Sequence, residues 1–179
     1  MTTFQGRLYW RGDDGYEEER VGPVFNGRKP DHHPAAILKA AHEDGIVLSG
    51  ISAGAICWFD SGHSDSMSFY NPRTWNYIKV KGLGLIQGVH CPHYNGMTRG
   101  VPRRRAFREM IRKIGGTGIA IENNCAIEFI DDRFYRVISS KDNARAYRVY
   151  KCGGDVVVEQ IRQQEELAPI ESLKTAQAG

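Results

Sequence analysis

Residues 46–59 read Ile46-Val47-Leu48-Ser49-Gly50-Ile51-Ser52-Ala53-Gly54-Ala55-Ile56-Cys57-Trp58-Phe59. Ile46-Val47-Leu48 is short, continuous and apolar, the pattern of a strand buried in a parallel sheet. Gly50-Ile51-Ser52-Ala53-Gly54 then requires a sharp turn, and Ala55 to Phe59 reads as a following helix. Strand, tight turn and helix in this order build an α/β sheet. The same context gives Gly-x-Ser-x-Gly its chemical meaning as a nucleophile elbow. Small residues at Gly50 and Gly54 let the chain turn without clashing, and the Ser52 hydroxyl is lifted above the sheet edge. The next amide, Ala53 N–H, sits at a helix N-terminus and can donate to a developing oxyanion. Without chemistry, the stretch would be a βα turn with Ser52 as a helix N-cap.

The flanking sequence extends this pattern. Pro34 to Glu43 consists largely of helix formers with Pro at the start and Gly45 past the end, which predicts a helix. Residues 1–33 are dense in Gly and Pro and hold the acidic run Glu17-Glu18-Glu19; they are expected to be loop or poorly ordered, with Tyr9 and Trp10 closing one short strand. Residues 60–81 read as an irregular excursion. A second short strand is expected over 82–91, ending at Pro92-His93-Tyr94. A helix follows from Val101 to Ile114, with Phe107, Met110, Ile111 and Ile114 on one stripe, and Gly115-Gly116 stops it. Gly118 to Ile121 is another buried strand, ending in Glu122-Asn123-Asn124. Residues 125–130 and 134–138 form a hairpin through Asp131-Asp132, and residues 146–150 and 155–159 form another through Gly153-Gly154. The expected fold is α/β: a mostly parallel sheet with flanking helices and antiparallel hairpins at its C-terminal edge. The expected organisation is an atypical N-terminal segment over 1–33, an α/β domain over 34–160 and a polar tail over 161–179.

Composition bounds the function. The chain has 179 residues, 41% hydrophobic and 25% charged, which suits one globular domain with its own core. No run approaches the roughly 18 apolar residues of a membrane span, and the N-terminus carries no basic-then-apolar signal pattern. Cytoplasm is the expected compartment. The net charge of +3 is too small to argue for nucleic acid by itself. Cys57, Cys91, Cys125 and Cys152 are widely spaced and are expected as free thiols, without the paired spacing of a zinc site.

A serine nucleophile needs a base within reach, and the base needs an orienting group. Of the six histidines, His93 stands just outside a strand, where sites form in open α/β sheets. His90 lies back along the strand and reads as structural. Glu122 also ends a buried strand and is a candidate carboxylate; Asp60 and Asp65 are alternatives. Chain order discriminates, because ordinary α/β-hydrolases place the histidine last. Here a Ser52, His93, Glu122 order excludes that layout unless Asp60 or Asp65 is the acid.

The elbow and its flank (Gly50 to Phe59), Ser64-Asp65-Ser66, Gly82-Leu83-Gly84, Cys91-Pro92-His93-Tyr94, Ile119-Ala120-Ile121-Glu122-Asn123 and the run from Ser139 to Val149 together resemble the dipeptidase E / cyanophycinase family of serine peptidases. The resemblance covers about residues 35–160. It implies a class I glutamine-amidotransferase-like, flavodoxin-like fold with Ser52 as nucleophile, His93 as base and acid, Glu122 orienting His93, and Asp65 linked to activity. It implies a short aspartyl peptide as substrate and no metal or organic cofactor. No nucleic-acid or membrane partner is expected; a homo-oligomer is compatible with the sequence. The family also carries a glycine-rich oxyanion segment upstream of the elbow, which residues 1–33 do not match. N-terminal strands are therefore expected to be missing or replaced, and a non-catalytic binding or interaction domain is the alternative to a peptidase. The basic run with Arg99, Arg103, Arg104, Arg105, Arg108, Arg112 and Lys113 against Glu109 reads first as a solvated helix face.

Overall fold

A computed structural model describes residues 6–21, 36–40, 48–130, 133–162 and 168–173. The chain divides into two compact units, Met1–Leu48 and Ser49–Gly179.

In the first unit, β1 (Gly6–Trp10) is followed by α1 (Tyr16–Val21) and β2 (Ala36–Ala40). β1 and β2 pair antiparallel, with Leu8 opposite Leu38 and Tyr9 opposite Ile37. The helix expected over 34–43 is thus a strand where it is described. Helix propensity is a weak prior, and the ladder to Gly6–Trp10 satisfies the same backbone groups from a distant partner. Tyr9 and Trp10 do end a strand. The acidic run expected in a loop instead forms α1, where Glu17 and Glu18 complement the positive end of the helix dipole. Of the expected buried strand 46–48, Ile46 and Val47 lie outside the described residues. Leu48 is in no strand and is exposed.

The second unit runs α2 (Ala53–Ile56), β3 (Phe59–Ser64), α3 (Met67–Tyr70), β4 (Ile78–Lys81), β5 (Ile86–Cys91), β6 (Met97–Thr98), β7 (Val101–Pro102), α4 (Arg103–Ile114), β8 (Thr117–Ile121), β9 (Cys125–Ile130), β10 (Arg133–Ser139), β11 (Ala146–Cys152), β12 (Asp155–Gln160) and β13 (Ala168–Pro169), then a 3₁₀ turn over Ile170–Leu173. A six-stranded sheet has the order β12-β11-β8-β5-β3-β4. Its centre, β3-β5-β8, is parallel, with Gly62 beside His90 and His90 beside Ile119. The β8-β11-β12 side is antiparallel: β11-β12 is the expected edge hairpin, and β11 also pairs with β8, whereas the other expected hairpin, β9-β10, belongs to a separate three-stranded sheet. The other edge is antiparallel too, because β4 folds back on β3. The fold is therefore α/β on a mixed sheet.

Three local expectations give way to tertiary contacts. The helix after the elbow lasts only one turn. The carbonyls of Cys57, Trp58 and Phe59 accept hydrogen bonds from the amides of Leu83, Ile86 and Gly84 (2.7, 2.8 and 3.0 Å), which draws the chain out into β3. Residues 60–81 are not an irregular excursion: they supply β3, α3 and β4, and the Phe-Asp-Ser-Gly-His-Ser composition of β3 concealed a central strand. The region expected as a polar tail holds β13, paired to β10, and a buried Leu173.

Alternation along the strands divides the core between two faces. Val89, Cys91, Ala120, Val149 and Val156 pack with Tyr94, Phe107 and Ile111 on the α4 side. Phe59, Ile119 and Ala146 pack with Phe134, Ile161, Ala168 and Leu173 on the side of a second sheet, β13-β10-β9. A register shift between Phe59 and Ser61 lets β3 serve both faces: Phe59 stacks on His90, while His63 meets Phe107. α4 seats directly on Gly118, where a Cβ would lie 2.4 Å from the Phe107 ring. Gly118→Val should therefore displace α4 and destabilise the protein by about 1–3 kcal/mol, read as a lower urea midpoint. An unchanged midpoint would show that α4 is not held this way.

Candidate active site

Because β3, β5 and β8 are parallel, their C-terminal ends open at one edge of the sheet. Asp65 follows β3 directly, His93 follows β5 after Pro92, and Glu122 follows β8 directly. Three of the residues singled out in the sequence thus share the edge where open α/β sheets bind ligands. Asp60 does not: it lies near the start of β3, where its carboxylate accepts from the Gly88 amide at 2.8 Å.

The loops after β5 and β8 are tied together. Tyr94 N–H donates to the Ile121 carbonyl at 2.9 Å, and Asn123 N–H donates to Asn95 Oδ1 at 3.0 Å. Within this frame His93 adopts φ 53°, a left-handed conformation uncommon outside glycine. Its Nδ1 meets Asn123 Oδ1 at 2.5 Å. Asn123 has only an acceptor oxygen there, so the contact requires a proton on Nδ1 and leaves Nε2 as the acceptor of the neutral ring. The Glu122 carboxylate is engaged elsewhere. One oxygen accepts from Arg104 at 2.9 Å, and the other accepts from the Arg145 amide at 3.0 Å. Neither asparagine was given a role from the sequence: Asn123 stood only as the last residue of the Ile119–Asn123 motif, and Asn95 had no signal beyond a position near His93.

Asp65 forms an ion pair with Arg103 at 2.5 Å and accepts from the Thr98 hydroxyl at 2.8 Å. Partial burial raises its pKa, but Thr98 and Arg103 outweigh that and hold the carboxyl below its usual range. Arg103 is buried, lies over the Tyr77 ring at 5.2 Å and donates to the His63 carbonyl at 3.2 Å. His63 stacks on Tyr77 and touches Cys91 Sγ through Nδ1 at 3.7 Å. Cys91 is fully buried, and burial pushes its thiol far up, which makes it a poor nucleophile.

Ser52 stands at the N-cap position of α2 with φ 56° and ψ −116°, and its side chain makes no capping hydrogen bond. A non-glycine residue at positive φ is strained, and such strain concentrates at functional sites. The turn is closed so tightly that a Cβ on Gly50 would lie 2.4 Å from the Gly54 carbonyl group. Gly54 N–H donates to the Ile51 carbonyl, and the amides of Ala55 and Ile56 donate to the Ser52 carbonyl. Ala53 N–H has no acceptor among the described residues. α2 rests on β3 through Ile56, whose side chain fills the space that Gly62 leaves. Among the described residues Ser52 shares no hydrogen bond with His93. No group of three or more His, Cys, Asp or Glu among them could hold a metal ion, and no described helix is long and apolar enough to cross a membrane.

Comparison with known proteins identifies the family. The model of peptidase family S51 matches residues 30–137, more than half of the chain, and the chain belongs to that family. The family resemblance read from the motifs is thereby borne out. The chain is also 42% identical, over 114 residues, to the uncharacterized peptidase YgaJ of Bacillus subtilis (strain 168). The match takes in 63% of this chain and 45% of that relative, so the chain spans less than half of the relative's length.

The buried histidines behind the edge make stability depend on pH. Burial, then Arg103, lowers His63 to about 3 against an opposing Asp65. Burial lowers His90 to about 4, although its contact with the Ile119 carbonyl favours the charged form. Both native pKa values lie below the unfolded value of 6.5, so unfolding takes up protons. Their contribution is fully present above about 6.5 and declines as pH falls toward 4 and 3, by up to about 1.4 kcal/mol per pH unit for each histidine. The urea midpoint should fall across that window, and His90→Gln should reduce the slope. A midpoint independent of pH there would refute the linkage.

Proposed function

We propose that the chain is a serine-type peptidase that hydrolyses short aspartyl peptides through an acyl-enzyme at Ser52, on a class I glutamine-amidotransferase-like scaffold. The observation that carries this reading is the strained Ser52 on the Gly50–Gly54 turn, with Ala53 N–H beside it holding no acceptor among the described residues. Family membership supports it, and so does the likeness to the Bacillus peptidase YgaJ.

In this mechanism Ser52 Oγ attacks the scissile carbonyl carbon while His93 Nε2 accepts its proton. Ala53 N–H donates to the oxyanion that forms. The C–N bond then breaks, His93 returns the proton to the leaving amine, and water releases the acyl group by the same steps in reverse roles. Asn123 holds the ring through Nδ1. Glu122 is a positioning residue, because its bonds to Arg104 and the Arg145 amide fix the turn that carries Asn123. Asp65 anchors the buried Arg103 at the same edge, as Glu122 pairs Arg104. Catalytic hydrogen bonds are commonly long without substrate and tighten when it binds, which is the step required between Ser52 and His93.

The alternative is a non-catalytic family member acting as a binding or interaction domain. The missing Ser52–His93 hydrogen bond supports that alternative. One assay separates the two. Wild type should cleave Asp-X dipeptides, Ser52→Ala should lose about 10³-fold or more in kcat, and Asn123→Ala should show a smaller loss in kcat than Ser52→Ala. Equal rates for wild type and Ser52→Ala would remove Ser52 as nucleophile; no cleavage by wild type would favour the binding domain.

A further inference from the structure

α4 is amphipathic in an unusual sense. Arg103, Phe107 and Ile111 are buried, and the outer face is made of arginine. A shallow, open cleft of about 400 Å³ lies along that face, lined by Pro102, Arg104, Arg105, Arg108, Glu109 and Arg112. Glu109, the one acid in the lining, is taken by Arg112. Arg104 is paired with Glu122 and lies over the Tyr94 ring at 5.2 Å. Arg105 and Arg108 are exposed and hold no ion pair or hydrogen bond among the described residues.

This arrangement works against the helix that carries it. Arg103, Arg104 and Arg105 occupy the first turn, where the macrodipole favours acids, and no acid is present there. Arg104 to Arg108 and Arg108 to Arg112 are like-charge i,i+4 pairs, which destabilise a helix. Asp65 and Glu122 answer Arg103 and Arg104 from other elements, but Arg105 and Arg108 have no such partner among the described residues, and a local conflict left standing points to a functional demand. An anionic ligand would resolve it.

Spacing identifies the ligand. Successive i,i+4 arginines rise about 6 Å along the helix. Alternate residues of an extended peptide are about 6.6 Å apart on one face. An extended chain with acidic side chains at alternate positions therefore runs its carboxylates along Arg104, Arg108 and Arg112. The unpaired Arg108, with Arg105 beside it, offers a guanidinium fork for two-point binding, while Arg104 and Arg112 keep Glu122 and Glu109 and present their remaining donors. The row starts at Glu122, whose neighbour Asn123 holds His93, and leads away from that corner. No aromatic ring lines the cleft, whereas grooves for single-stranded nucleic acid rely on rings for base stacking.

We propose that the arginine row Arg104-Arg108-Arg112, with Arg105, is a binding site for an extended acidic peptide segment running outward from the His93 corner. Its role in holding substrate rests on the peptidase reading, but binding itself does not. The test is fluorescence anisotropy of labelled hexaglutamate with the full chain. Wild type should bind it, more weakly as salt rises. Arg105→Glu/Arg108→Glu should weaken binding about tenfold or more, and the milder Arg105→Gln/Arg108→Gln should fall between. Lys79→Glu/Lys81→Glu makes the same charge change on β4, at the opposite edge of the sheet from β12, and should bind like wild type. The proposal is overturned if wild type does not bind, if the α4 variants bind as wild type does, or if the β4 variant loses as much. Tighter binding of a labelled single-stranded hexanucleotide, lost in the same α4 variants, would also overturn it. Dipeptide hydrolysis is read separately, so failure of the peptidase reading leaves this comparison intact.

Discussion

The parallel register of β3, β5 and β8 is the constraint on which the candidate site depends. Gly62 lies beside His90, and His90 beside Ile119. Parallel strands end at the same edge, so the residues that follow them must meet there. Asp65, His93 and Glu122 are far apart in the chain and are neighbours only through this pairing. The register shift after Phe59 extends its effect, because it turns Phe59 toward one layer of the core and His63 toward the other. A slip of one residue in β3 would exchange those faces and move Asp65 out of the edge.

Charge links this edge to α4. Arg103 and Arg104 are adjacent in sequence but serve different partners. Arg103 turns inward to Asp65, and Arg104 reaches Glu122 while half exposed. The helix start is thus bound to the loops after β3 and β8. Its geometry holds two carboxylates in place at the expense of helix electrostatics. The loop after β5 carries the left-handed His93, and the loop after β8 carries its asparagine partner. Strain at Ser52 and His93, together with arginines set against the dipole, shows where local preference has been overruled within this unit.

Much of the architecture was legible in sequence, and the legible parts share a feature. The β9-β10 and β11-β12 hairpins and α4 have partners close in the chain or a strong apolar stripe, so local pattern was enough. The elements misread depend on distant partners. Ala36–Ala40 has helical composition but meets Gly6–Trp10. Phe59–Ser64 has a polar composition but lies between two strands. The helix after the elbow stops at one turn because the segment 82–86 captures the carbonyls of Cys57, Trp58 and Phe59, which would otherwise continue it. At the site, the strand-end positions of His93 and Glu122 were visible from apolar runs that stop at Pro92 and at Glu122. The partner of His93 was not, because a carboxylate is the expected orienting group and the neighbouring amide, Asn123, carries no comparable signal.

By itself the sequence determined the chemistry available: a serine between glycines, a histidine and a glutamate at strand ends, and the motifs of peptidase family S51. These depend on residue identity and short-range order, which a linear chain displays directly. Only the tertiary structure decided which groups touch. It placed Asn123 on His93, Arg104 and the Arg145 amide on Glu122, and Arg103 on Asp65. The reason is geometric. Hydrogen bonds act over about 3 Å, and which atoms come that close is set by strand register and loop closure between segments remote in sequence.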